Sequence, residues 1–226
     1  MATIADNLQA VRARIDRAAR AARRAAGSVT LLAVSKTHPP ARIDEARVAG
    51  QLAFGENYVQ EALDKMDRLP RLEWHLIGPL QSNKTRLAAE RFDWVQTVAS
   101  EKIARRLSDQ RPAHLPPLNV LIQVNVSGEA SKSGLELDEV EDLARAIAAL
   151  PRLRLRGLMA IPEPGAERSR YASVKKVFEK LKSRFGFDTL SMGMSDDLEV
   201  ALAEGSTMVR IGTAIFGPRK KEKTAA

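Results

Sequence analysis

The chain has 226 residues, of which 44% are hydrophobic, enough to form the core of one large domain or two small ones. It contains no cysteine and three histidines, which excludes disulfides and thiol chemistry and argues against a structural zinc site. No apolar run approaches the roughly 20 residues of a membrane span, and the N-terminus lacks the apolar core of a signal peptide, so we expect a cytoplasmic protein without a membrane segment.

The formal net charge is +8, and much of the basic excess lies at the two ends of the chain. Residues 12–24 carry six arginines, and the tail 218–226 adds one arginine and three lysines. Basic surfaces are typical of nucleic-acid-binding proteins, but the few aromatic residues do not interleave with these runs as base stacking requires. We interpret the runs as a solvated helix face and a frayed tail, and expect no nucleic-acid binding.

The N-terminal segment 3–26 predicts a helix, because Ile4, Leu8, Val11 and Ile15 recur at helical spacing and Gly27 is a natural stop. Short apolar runs and helical patterns then alternate along the chain. Eight predicted strands cover residues 30–34, 52–54, 74–77, 94–98, 120–126, 153–159, 189–192 and 208–211. Predicted helices cover 42–49, 59–69, 83–91, 101–109, 138–150, 168–185 and 198–204.

Strands that alternate with helices imply a parallel sheet, and eight such units fit a (β/α)8 barrel of the TIM type. An open doubly wound sheet is the alternative, but it normally has a glycine-rich turn after its first strand, and residues 35–40 contain no glycine. We therefore predict an α/β fold with a single barrel domain over 1–226. An N-terminal helix within 1–27 precedes the barrel, and the basic tail 218–226 follows it.

Lys36 directly follows the first predicted strand. In a barrel the chemistry lies where strands end and the loops to the helices begin. An amine at the mouth of a buried strand can lose its charge by desolvation and become a nucleophile toward aldehydes. The simpler interpretation is that Lys36 only marks the end of the strand.

Polar residues also mark other predicted strands. The second strand runs into Asn57, and the third carries His75. On the fifth strand, Gln123 and Asn125 alternate with valines and isoleucine, so this amide face is expected to point into the barrel. Buried amides need partners, and the sequence leaves open whether a ligand, neighbouring amides or ordered water supply them.

The last two loops predict a phosphate site, which barrels often place there. Ser195 is expected to cap the helix after the seventh strand, and Gly212 to allow close backbone approach. Asp196 and Asp197 would repel a phosphate unless they point away. The alternative for each loop is a capped surface helix or a tight turn. The candidate residues in these loops and on the eighth strand are Ser191, Met192, Ser195, Arg210, Gly212 and Thr213.

A nucleophilic lysine opposite a phosphate site suggests a phosphorylated aldehyde held as a Schiff base, and pyridoxal phosphate fits this description. A Schiff-base aldolase also uses a barrel lysine, although usually on a later strand.

Five motifs now carry a family resemblance: LAVSKT at 32–37, FGENY at 54–58, WHLIGPLQSNK at 74–84, LSMGMSDD at 190–197 and VRIGTAIFG at 209–217. Over nearly its whole length the chain resembles the pyridoxal phosphate homeostasis proteins. The resemblance implies a barrel like the N-terminal domain of alanine racemases, with Lys36 holding pyridoxal 5'-phosphate as a Schiff base. It places Arg210 at the pyridine nitrogen and Asn57 and His75 near the ring. The phosphate would be held by Gly212, Thr213 and the loop around Ser191, Met192 and Ser195.

The resemblance also implies a role in intracellular cofactor homeostasis, in delivery to pyridoxal-phosphate-dependent apoenzymes and in amino-acid balance, without turnover. The alternative is a racemase or a related amino-acid enzyme. Two-sided proton transfer needs a second acid–base group, which racemases take from an additional domain of the partner subunit. Here the eight units account for the chain, so we expect no such additional domain. Because the racemase dimer depends partly on that domain, we expect a monomer. Tyr58 and Tyr171 are the only tyrosines in the sequence.

Overall fold

The protein folds as a closed barrel of eight parallel strands in chain order, as predicted. The computed structural model describes residues 2–127 and 133–218, so the basic tail beyond Pro218 lies outside the described part. The strands are β1 Thr30–Val34, β2 Ala53–Glu56, β3 Glu73–Leu76, β4 Trp94–Val98, β5 Leu118–Val124, β6 Leu153–Ala160, β7 Thr189–Ser191 and β8 Met208–Ile211.

Helices precede the first strand, connect successive strands on the outside of the barrel and follow the last strand. They are α1 Ile4–Ala21, α2 Pro40–Val48, α3 Val59–Arg68, α4 Thr85–Arg91, α5 Glu101–Gln110, α6 Val140–Ala148, α7 Arg168–Phe185, α8 Leu198–Ala203 and α9 Thr213–Phe216. A 3-10 turn, Ser82–Lys84, precedes α4. None of the helices in the described part of the chain is long and apolar enough to cross a membrane.

The N-terminal helix ends earlier than predicted. Arg23 adopts a left-handed backbone conformation with φ of 58°, and the N–H of Arg24 returns to the carbonyl of Ala19 at 2.9 Å. This closure resembles the glycine-based caps of many helices, although an arginine occupies the position. Gly27 therefore lies in the following loop, and its prediction as the helix stop was wrong.

Three of the N-terminal arginines are used inside the molecule. Arg12 and Arg14 of α1, and Arg24 just beyond it, each donate to backbone carbonyls of other elements. Their acceptors are Ala49 and Gly50 for Arg12, Ser195 for Arg14, and Ser206 for Arg24. The apolar face of α1 is buried in the main core through Ile4, Leu8 and Ile15. These three arginines therefore anchor the N-terminal segment to the barrel, and the other three arginines of the run are exposed.

A bulge in β6 sets which of its side chains face the barrel interior. The β5–β6 register shifts between Val120 and Leu121, and Gly157 adopts a φ of 147°, a region that favours glycine. A β-carbon at Gly157 would lie 2.0 Å from the carbonyl oxygen of Thr189. Met159 consequently points inward, where it packs with Leu121.

We expect Gly157→Ala to lower the free energy of unfolding by about 3 kcal/mol or more, because overpacking meets main chain that cannot repack. Gly50→Ala is the matched control, since Gly50 has a φ of 81° but open space where a β-carbon would lie. The control should lose only about 1 kcal/mol, the strain of a left-handed residue. Urea denaturation of both variants measures the difference. Equal losses would show that the β6 bulge tolerates a side chain.

Candidate functional site

The carboxyl end of the barrel collects the predicted site residues from opposite ends of the chain. Lys36 lies in the turn after β1 and is partly buried, and Asn57 follows β2. β1 pairs with β8, with Leu32 beside Arg210. Because all strands are parallel, their C-terminal ends lie on one rim, and Lys36, Asn57, Arg210 and Thr213 share it.

Arg210 is a buried cation whose hydrogen-bond partners are neutral. Its side chain is 4% exposed, and its Nη1 donates to the carbonyl and the hydroxyl of Ser191, both at 2.8 Å. Its Nη2 donates to the carbonyl of Ala160 at 2.8 Å, at the end of β6. Within the described residues no ion pair joins Arg210 to a carboxylate. Burial lowers the pKa of Arg210 to about 10, so it stays charged at neutral pH.

Polar side chains continue from Arg210 through the barrel interior, and we call Glu73, His75, Gln96, Ser191 and Arg210 the interior polar chain. The Ser191 hydroxyl donates to Gln96 Oε1 at 2.8 Å. Gln96 Nε2 lies 2.9 Å from His75 Nδ1, and His75 Nε2 lies 2.7 Å from Glu73 Oε1. When His75 Nε2 donates to the Glu73 carboxylate, His75 Nδ1 accepts from Gln96, Gln96 accepts from Ser191, and Ser191 accepts from Arg210. Every hydrogen bond then runs in one direction, from Arg210 to Glu73.

His75 lies deeper than the rim. It is fully buried and stacks on Trp94 with ring centroids 5.0 Å apart. Burial lowers its pKa despite the opposing effect of Glu73, so the ring is neutral and both nitrogens are engaged within the interior polar chain. Ile77, two residues further along, lines the cavity at the mouth. His75 is therefore placed to orient the polar chain below the predicted ligand ring.

The loop after β7 differs from its predicted arrangement. α8 begins at Leu198 with Asp197 at the N-cap position. The prediction that Ser195 caps this helix was therefore wrong. The carbonyl of Ser195 instead accepts from Arg14 at 2.7 Å. The Met192 side chain is fully buried in the core between strands and helices, and its N–H bonds to the carbonyl of Met208. The Met192 side chain therefore does not line the mouth.

Asp197 points away from the rim. One carboxylate oxygen accepts from the Tyr171 hydroxyl at 2.7 Å, and the other accepts from the N–H of Met194. Burial raises the pKa of Tyr171 far above its usual range, and the hydrogen bond to Asp197 raises it further. Both carboxylate oxygens of Asp197 are therefore occupied by donors from its own loop and from α7, although its charge still acts on Arg210. The same bond commits the Tyr171 hydroxyl to Asp197.

The loop after β8 approaches β1 closely. A β-carbon on Gly212 would lie 3.2 Å from the carbonyl oxygen of Val34. α9 begins at Thr213, which is exposed, and the first N–H groups of a helix have no partner within it. Asn7 on α1 donates to the carbonyl of Ile215 at 2.9 Å. The N-terminal helix therefore anchors both loops that were predicted to bind phosphate, one through Asn7 and the other through Arg14.

A cavity of about 450 Å³ opens at the mouth of the barrel, between Asn57 after β2 and Met194 after β7. Gln123 and Asn125 line it, which places the amide face of β5 inside as predicted. Gln123 Nε2 donates to the carbonyl of Ser133 at 3.1 Å, and Asn125 Oδ1 accepts from the Ser127 hydroxyl at 2.9 Å. In these bonds the partners are a backbone carbonyl and a serine hydroxyl that follow β5, which differ from the partners that the sequence suggested.

Sequence reasoning missed two groups of residues that support the site. Gln96 is a polar residue at an inward position of a short apolar strand, and this pattern could have identified it. Lys65 and Glu61 lie on α3 with the i,i+4 spacing of an ordinary surface pair, so nothing in the sequence marks the burial of Lys65.

The chain is similar to known proteins over almost its whole length. Residues 7–220 match the family described as alanine racemase, N-terminal domain. The pyridoxal phosphate homeostasis protein of Pseudomonas aeruginosa is 60% identical, covering 97% of each chain. That of Escherichia coli K12 is 58% identical, covering 99% of this chain and all of the relative. The structure of PipY from Synechococcus elongatus with pyridoxal phosphate bound is 36% identical and superposes with a TM-score of 0.82, covering 95% of this chain and all of PipY.

Sequence identity of 58% and 60% over nearly the full length of these relatives shows the family, and the closed barrel agrees with it. The chain therefore belongs to the pyridoxal phosphate homeostasis protein family.

Proposed function

We propose that this protein binds pyridoxal 5'-phosphate through Lys36 and serves the homeostasis of that cofactor and amino-acid balance. The observation that carries the proposal is Arg210, a buried cation without a carboxylate partner in the described structure, on the same rim as Lys36. A buried charge of this kind is costly unless a ligand or a hydrogen-bond network compensates it. The names of the close relatives and the bound form of PipY support the same ligand.

The residues present fit this cofactor. Its aldehyde condenses with a primary amine with loss of water, so Lys36 would hold it as a Schiff base. Arg210, fixed by Ser191 and Ala160, would present an N–H to the pyridine nitrogen. Thr213 and the N–H groups that open α9 would bind the phosphate, with Ser195 on the neighbouring loop.

Two predicted contacts change their role in this proposal. The Ser191 hydroxyl already bonds Arg210 and Gln96, so it would orient Arg210 and leave the phosphate to the neighbouring loop. Met192 would contribute packing under that loop, because its side chain is buried in the core.

Binding without turnover is the interpretation that the tyrosines favour. Racemisation needs a second acid–base group across from the lysine. Tyr171 is committed to Asp197, and Tyr58 is 62% exposed beside the start of α3. Arg210 cannot give up its proton readily to the ring, which weakens the electron sink that carbanion chemistry requires. Delivery to apoenzymes and the monomeric state stay predictions.

Lys36→Ala should abolish the visible absorption band that forms when pyridoxal phosphate is added, while the far-UV circular dichroism and the thermal midpoint stay close to wild type. The reason is that Lys36 ends a strand and is only partly buried. Lys102→Ala, on the exposed surface of α5, is the control and should keep the band. A band of full intensity in Lys36→Ala would reject the assignment of this lysine.

Thr213→Ala should release the cofactor about tenfold faster during dialysis without preventing the linkage to Lys36, because one hydrogen bond to a charged group is lost. Ser183→Ala removes an exposed hydroxyl on α7 and serves as the control. Equal release from both variants would show that Thr213 does not contact the phosphate.

The loaded protein should not interconvert L- and D-alanine, because neither tyrosine is positioned as the second acid–base group that inversion requires. Chiral chromatography of alanine after prolonged incubation measures this directly. Interconversion that disappears in Tyr58→Phe would restore the racemase alternative and identify its second group.

A further inference from the structure

The turn that carries Lys36 is held on both sides by side chains, of which Ser35, Glu56 and Lys65 are buried and Glu61 is partly exposed. We call these four residues the turn cluster. On the N-terminal side, the Ser35 hydroxyl donates to Glu56 Oε1 at 2.6 Å, and the carbonyl of Ser35 accepts from Lys65 Nζ at 2.9 Å. On the C-terminal side, the N–H of Thr37 donates to Glu61 Oε1 at 2.6 Å. Lys36 lies between these two anchors.

Lys65 joins the anchors into one unit. Its Nζ lies 2.7 Å from Glu56 Oε1 and 2.6 Å from Glu61 Oε1. Together with Ser35, these contacts give the ammonium group three acceptors, which is the number of its protons. Lys65 is 4% exposed and Glu56 is fully buried. Charged groups in such a place are retained only when each has partners, so the lysine and the two carboxylates depend on one another.

The backbone beside Lys36 also needs this support. Thr37 adopts a φ of 66°, a left-handed conformation that is unfavourable for a β-branched residue. Such a conformation persists only when surrounding contacts hold it. The bond from the Thr37 N–H to Glu61 supplies one of these contacts, and through Glu61 it connects the turn to Lys65.

We propose that Lys65 and Glu61 are positioning residues for Lys36: their ion pair fixes the backbone turn that aims the Lys36 amine at the mouth of the barrel. This inference rests on the proposed function and adds to it the residues that set the geometry of the covalent linkage. Neither residue lies on the barrel strands, so both act from α3 through the backbone of Ser35 and Thr37.

Glu61→Ala tests the proposal most cleanly, because Glu61 is partly exposed and its loss leaves the Lys65–Glu56 pair in place. We expect the apparent Kd for pyridoxal phosphate, titrated by visible absorbance, to rise about tenfold or more, since a displacement of about 1 Å at a reacting group has effects of this size. Glu61→Gln keeps an oxygen that can accept from the Thr37 N–H and should recover most of the affinity. Lys65→Met should weaken the linkage at least as much if it folds.

Met66→Ala is the matched control, because Met66 is a buried residue of the same helix outside the turn cluster. It should lower the thermal midpoint while leaving the Kd unchanged, which separates positioning from general destabilisation. Folded Glu61→Ala with the wild-type Kd would overturn this inference and leave the proposed function intact. A wild-type protein that forms no band would overturn the proposed function, and this inference with it.

Discussion

The pairing of β1 with β8 is the contact on which the site depends. It closes the barrel and sets Leu32 beside Arg210, so that the lysine turn near the start of the chain meets the cationic strand near its end. Closure also brings Gly212 against Val34, so that a β-carbon at position 212 would have to displace the Val34 carbonyl by a few tenths of an ångström. The turn of Lys36 and the loop that leads to Thr213 come together through this single pairing, because the strands are parallel and their C-terminal ends share one rim.

The second constraint on the site is the burial of two charged side chains, Arg210 and Lys65. Arg210 inside the barrel is compensated by neutral acceptors and by the interior polar chain. Lys65 outside it is compensated by two carboxylates. Burial raises the pKa of Glu56, even though Lys65 favours the ionised form, so removal of Lys65 would leave a buried carboxyl group without its ion-pair partner. The interior polar chain therefore holds Arg210 in place, and the turn cluster holds the backbone on both sides of Lys36.

Much of the fold could be predicted, because short apolar runs rich in β-branched residues indicate buried strands. The observed bounds of β1, β4 and β8 equal the predicted ones. The deviations have local causes that no pattern displays. An arginine adopts the left-handed conformation that ends α1, and the four-residue helix α9 is too short for a periodic signal. At the site, motif residues on the rim were identifiable, but the direction of Asp197 and the burial of Lys65 depend on tertiary contacts with α7 and the β1 turn.

The most direct test of the account is borohydride reduction of the protein with bound pyridoxal phosphate, followed by peptide mapping of the reduced adduct. The account predicts one adduct per chain, located on Lys36, because this lysine ends a strand at the mouth of the barrel, on the same rim as the buried Arg210. An adduct distributed over surface lysines, or one concentrated on another residue, would contradict it.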